Sequence, residues 1–135
     1  MKSETAAYLA SASQALTDAK AILAINIPRQ AARLAHYAQF HAAQALIFER
    51  TDRIAKTHRG VKNQFHKLAK EDPRIDRGLA GDLAATYHFK EAADYETGPE
   101  NTISLEDASE AIRVAERFAV AVRDVLSDMP DKGRG

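Results

Sequence analysis

Apolar residues in this chain recur every three or four positions almost throughout, and no stretch shows a sustained two-residue alternation. That pattern suits helices and leaves nothing from which to build a sheet. A first helix is predicted from about Ser3 to Ala24, with Leu9, Ala12, Leu16, Ala19 and Leu23 on its apolar stripe. Asn26, two residues before Pro28, marks a break and a restart. A second helix then runs from Pro28 to about Arg50, residues 51–57 connect, and a shorter third spans roughly 58–70. Asp72-Pro73 reads as the cap and first turn of a fourth helix, which ends before Gly98-Pro99. Ser104, with Glu106 and Asp107 in the next turn, caps a fifth, in which Ile112, Ala115, Ala119, Val122 and Leu126 recur at helical spacing. Long helices joined by short connections predict an all-α fold, an up-and-down antiparallel bundle of about five helices over residues 1–127. Residues 128–135 have no packing pattern and read as a flexible tail.

At 135 residues the chain suffices for one domain with a real core. Apolar residues make up 45% and charged residues 28%, the balance of a folded protein rather than a disordered one. There is no cysteine, which excludes disulfides, thiolate metal sites and cysteine nucleophiles. No apolar run is long enough to cross a bilayer, and the MKSETAAYLA start lacks the layout of a secretion signal, so no membrane association and a cytoplasmic location are expected. Net charge is zero but unevenly spread. Residues 50–70 hold seven basic side chains against Asp52 alone, while residues 81–116 hold nine acidic ones against Lys90 and Arg113. Two readings fit: solvated faces that attract each other within the fold, or a basic patch for a phosphate backbone or an acidic partner.

Three segments concentrate the chemistry: AHYAQFHAAQAL (35–46), KTHRGVKNQFH (56–66) and YHFKEAADY (87–95). They contain all five histidines and three of the four tyrosines. On the second helix Arg33, Tyr37, His41 and Gln44 form a polar stripe that either lines a groove or interface or makes an interior hydrogen-bonded network. On the third, Arg59, Asn63 and His66 share a face, because seven residues make almost two turns. An arginine and a histidine held together can cleave RNA without metal: the histidine moves a proton and the arginine stabilises the pentavalent phosphate. The bland alternative is surface decoration. On the fourth, Tyr87, Lys90, Glu91 and Asp94 face broadly one way with Tyr95 beside them, as a site or as an internal ion pair, and Asp94 could orient an arginine or histidine from a neighbouring helix. His88, beside Ala84 and Ala85, reads as structural. No carboxylate–histidine spacing suits a metal, and there is no HExxH, phosphate-binding glycine loop or GxSxG, so neither metal nor cofactor is expected.

The order of these motifs resembles the HEPN (higher eukaryotes and prokaryotes nucleotide-binding) family, in its small stand-alone prokaryotic branch, over roughly residues 5–126. Tyr37, Ala38, Phe40, His41, Ala42 and Ala43 match a YYAMFHAA-like motif, with His36 in the slot of its first tyrosine. His58 and Gly60 match an SHKG-like motif, with Arg59 where lysine is common. Ala93, Asp94 and Tyr95 match RxxADY, with Lys90 in place of its arginine, which keeps the charge but loses the planar fork. The resemblance implies a helical bundle, often a homodimer, and pairing with a nucleotidyltransferase in toxin–antitoxin or defence systems. It also implies RNA or nucleotide binding and, in catalytic members, metal-independent ribonuclease activity through Arg, four to six residues, then His. Arg59 and His66 fit that spacing and are the catalytic candidates. Arg29 and His36 share the spacing, and no copy follows residue 90. Tyr37, His41, His58, Asn63, Lys90, Asp94 and Tyr95 would then form the surrounding substrate- or nucleotide-binding site. The competing expectation is a non-catalytic helical module that binds a nucleotide or a partner protein.

Overall fold

The computed structural model describes residues 1–94 and 102–127, with five helices and no strand among them. They are α1 (Ser3–Ala24), α2 (Pro28–Thr51), α3 (His58–Glu71), α4 (Gly78–Asp94) and α5 (Leu105–Ser127). Their ends follow local chemistry. Asn26 adopts φ 70°, and the Asn26 and Ile27 amides turn back onto the Leu23 and Ile22 carbonyls. This is the left-handed closure that asparagine tolerates better than most residues, and Pro28 then starts α2. The Thr57 hydroxyl accepts from the Gly60 amide to cap α3. Ser104 and Asp107 cap α5 reciprocally, each side chain accepting from the other's amide.

The start of the fourth helix departs from expectation: it begins at Gly78, not at Pro73. Asp72 is occupied elsewhere. Its backbone closes α3, while its carboxylate accepts from the Arg74 amide and pairs with the Arg50 and Arg74 guanidinium groups. Buried Ile75 then anchors the turn, and Asp76 accepts from the Gly78 amide at the head of α4. The expected end before Gly98-Pro99 and the 128–135 tail lie outside the described residues.

Helix α2 is the hub, packing on α1, α3, α4 and α5. Cross-helix contacts set the directions. Leu9 and Ser13 meet Arg123 while Lys20 meets Glu116, so α1 and α5 run antiparallel. Likewise Arg33 meets Asp94 and His36 meets Thr86, so α2 and α4 run antiparallel. Two clusters form the core. One holds large side chains, with Leu46, Ile47, Phe65, Phe118 and Val122 fully buried. The other is an alanine seam of Ala19, Ala31, Ala32, Ala35, Ala38, Ala108, Ala111 and Ala115. Each buried large apolar side chain contributes roughly 1.5–3 kcal/mol. The alanines instead let α1, α2 and α5 approach closely. Outside, Arg59, Lys62, Lys67 and Lys70 of α3 form no ion pair among the described residues.

Candidate functional site

A cleft of ≈ 250 Å³ opens between α2, the residues leading into α3, and α4, lined by His36, Tyr37, Phe40, Lys56, His58, Tyr87 and Lys90. Helix α2 supplies His36, Tyr37 and Phe40 because two adjacent residues and one a turn later share a flank. His58 is the first residue of α3, so the Thr57 cap that starts this helix also fixes where the imidazole sits. The His58 ring stacks on Tyr87, with centroids 3.6 Å apart and planes 10° apart. The His36 ring lies 5.8 Å from His58, 5.5 Å from Tyr87 and 6.0 Å from Phe40. Lys90 Nζ sits 5.8 Å from the Tyr87 ring centre and 2.7 Å from Asp94 Oδ2.

The electrostatics follow from this crowding. Burial, then the neighbouring His58 and Lys90, push the His36 pKa down to about 4. His58 is also lowered, first by burial and then by Lys62 and Lys90, with Glu91 opposing. Both rings are therefore neutral near pH 7. Hydrogen bonds from Lys90 and then Arg33 hold Asp94 below the usual carboxylate range, and Asp94 in turn raises Lys90. Asp94 thus receives an arginine from a neighbouring helix, as its position suggested: Arg33 Nε donates to Oδ1 at 2.6 Å while Nη2 reaches the Ala93 carbonyl. The planar fork missing at Lys90 arrives from α2.

The expected site residues divide. Tyr37, His58 and Lys90 line the cleft, and Asp94 anchors Lys90. His41 lies apart, bonded through Nδ1 to Gln44, whose amide donates to the Ala55 carbonyl, so Gln44 and His41 brace the α2–α3 connection. Arg59, Asn63 and His66 are exposed on α3 and do not line the cleft. Tyr95 lies outside the described residues. His88 is exposed rather than structural, because Ala84 and Ala85 beside it also face solvent. The sequence places Tyr87 only on the polar face of α4, and His36 and Lys56 were not among the expected site residues. Neither were Gln39 and Thr86, fully buried behind His36. One signal for Thr86 exists in the sequence: it continues the buried Leu79–Leu83 spacing with a polar side chain. Among the described residues no three His, Asp or Glu side chains converge as metal ligands would.

A model of the HEPN domain matches residues 5–125. The chain belongs to the HEPN domain family. This HEPN chain is 26% identical over 129 residues to a Methanocaldococcus jannaschii protein named "Putative toxin MJ0605", a match covering 96% of this chain and 93% of that one. Its fold is shared with the crystal structure of TT1696 from Thermus thermophilus, at TM-score 0.76 and 19% identity, over 91% of this chain and 98% of that chain. At that identity the likeness speaks to the fold alone. No helix among the described residues is long and apolar enough to cross a membrane.

Proposed function

We propose that this HEPN chain is the toxin-like member of a toxin–antitoxin or defence pair with a nucleotidyltransferase, that it acts as a homodimer, and that it engages RNA or a nucleotide through the α2–α3–α4 cleft. The observation that carries this reading is the convergence of a stacked imidazole–phenol pair, His58 and Tyr87, with Lys56 and Lys90 on one open cleft. Aromatic faces beside cations suit bases beside phosphates. The α3 basic face, which forms no ion pair among the described residues, extends the same polarity outward, and the relative named "Putative toxin MJ0605" supports the biological setting.

Cleavage of RNA is assigned to Arg59 and His66. Seven residues separate them along the axis by about 10 Å, and each chain presents both to solvent. Such a separated pair gains most from a two-fold axis that brings the faces of two chains together. The same separation favours, as a second reading, a module that binds RNA or a partner protein without cutting it. Incubating the purified chain with labelled RNA and a chelator distinguishes them. Cleavage lost in Arg59→Ala/His66→Ala at unchanged melting temperature supports the ribonuclease. Binding without cleavage, weakened several-fold in Lys56→Ala/Lys90→Ala, supports the module. RNA and nucleotides that neither bind nor react would overturn the ribonuclease and any nucleic-acid-binding module, leaving a module that binds a partner protein.

A further inference from the structure

The cleft reading leaves one buried polar chain unused: Gln39, Thr86 and His36. Gln39 and Thr86 are fully buried, and His36 is 2% exposed, in a region whose other core residues are largely alanine. The Thr86 hydroxyl lies 2.5 Å from Gln39 Oε1 and 3.2 Å from His36 Nδ1. The Gln39 side-chain oxygen can only accept, so the hydroxyl that faces it donates: Thr86 donates to Gln39 Oε1. A hydroxyl has one proton to give. With that proton committed, Thr86 meets His36 Nδ1 only as an acceptor. Nδ1 therefore carries the ring hydrogen, and Nε2 carries the lone pair. Nε2 has no hydrogen-bond partner among the described residues, while the ring itself lines the cleft. Beside it, His58 Nδ1 is a buried ring nitrogen with no hydrogen-bond partner among the described residues.

We propose that His36 Nε2 is the hydrogen-bond acceptor that selects the cleft's ligand, requiring an N–H or O–H donor at that point, and that Gln39 and Thr86 are positioning residues that fix its tautomer. The proposal rests on the cleft being a ligand site and specifies the group the ligand must offer. Tyr37, His58, Tyr87 and Lys90 surround the ring. Burial beside them keeps the imidazole uncharged at neutral pH, so the acceptor persists there.

Nitrogen-15 spectra of the histidine side chains in the full chain test the relay without any ligand. At pH 7 His36 should show a pyrrole-type Nδ1 and a pyridine-type Nε2. Thr86→Ser should keep that tautomer and Thr86→Val should mix the two. Should the valine variant fail to fold, the wild-type and serine spectra carry the test. Adding a single-stranded RNA oligonucleotide should move the Nε2 resonance toward its hydrogen-bonded range and leave Nδ1 in place. His36→Phe should weaken that binding about tenfold, the size of one hydrogen bond to a desolvated group. A protonated Nε2 in the free protein overturns the relay. RNA that binds with Nε2 unmoved and His36→Phe at full affinity overturns the acceptor role and leaves the cleft reading standing. RNA that does not bind defeats the cleft reading and the acceptor together, whatever the tautomer.

Discussion

His36 shows how one residue's surroundings reverse its default behaviour. An ordinary histidine is half-charged near pH 6.5, whereas this one stays neutral down to about pH 4 because burial outweighs Asp94, which favours its charge. As pH falls below 6.5 the unfolded chain takes up a proton that the folded chain refuses until about pH 4. The unfolded state therefore binds more protons across that interval, and stability is lost as pH drops through it. The full effect is roughly 3 kcal/mol. His36→Gln should remove this pH dependence, so the urea midpoint of the wild type should fall relative to that of the variant between pH 7 and pH 4. Midpoints that run parallel would show that His36 titrates normally. Asp72 acts in the same direction through a different cause. Its carboxyl is held low by Arg74 and Arg50, so its contribution is complete above the unfolded carboxylate range and fades as pH falls below it. Asp72→Asn should cost about 2 kcal/mol at pH 7 and progressively less below pH 4, measured by the same denaturation series.

Among the elements, α3 depends most on its first turn, because the Thr57 cap that opens it also places His58 in the cleft. A Cβ on Gly60 would come within 3.0 Å of Thr57 Oγ1, so the motif's glycine is what lets the hydroxyl reach the Gly60 amide. Helix propensity alone would make Gly60→Ala stabilising by about 1 kcal/mol. Interference with a cap worth about 1 kcal/mol should cancel that gain. In a Thr57→Ala background, where no hydroxyl is left to crowd, Gly60→Ala should stabilise by about 0.5–1 kcal/mol. Additive effects in the thermal-denaturation cycle would refute the steric coupling. Capping signals were legible in the sequence at Asn26 and Ser104, whose partners lie within four residues. At Asp72 they misled, because Arg50 reaches it across 22 residues and recruits its carboxylate into a junction between α2 and the α3–α4 turn.

At the scale of the whole molecule, the basic side chains along α3 lie at the surface. Lys62 and Lys67 are exposed and pair with nothing among the described residues. Reversing both to glutamate should leave the melting temperature within about 2 °C, since unpaired surface charges contribute little to stability. The same change should weaken RNA association and flatten its salt dependence. On a single strand, each phosphate that a lysine no longer neutralises should reduce the logarithmic slope by about 0.7. Fluorescence anisotropy at two salt concentrations measures this, and an unchanged slope would remove α3 from the interface. Light scattering on the same samples reports whether the chain is a dimer.

Linear patterns were enough to place the five helices, most of their ends, the HEPN family and the segments that carry titratable side chains. Each of those depends on spacing along one helix or on residues a few positions apart, which a linear pattern records. Tertiary structure decided which of those side chains meet. Thr86 and His36 are 50 residues apart, and Gln39 and Thr86 are 47 apart. They come together because α2 and α4 pack antiparallel, with Arg33 against Asp94 and His36 against Thr86. The same packing seats His58 and Tyr87 in the cleft and turns Arg59, Asn63 and His66 to solvent. Side chains on one helix share a face by geometry alone, but side chains on different helices become a site only through the packing that joins them.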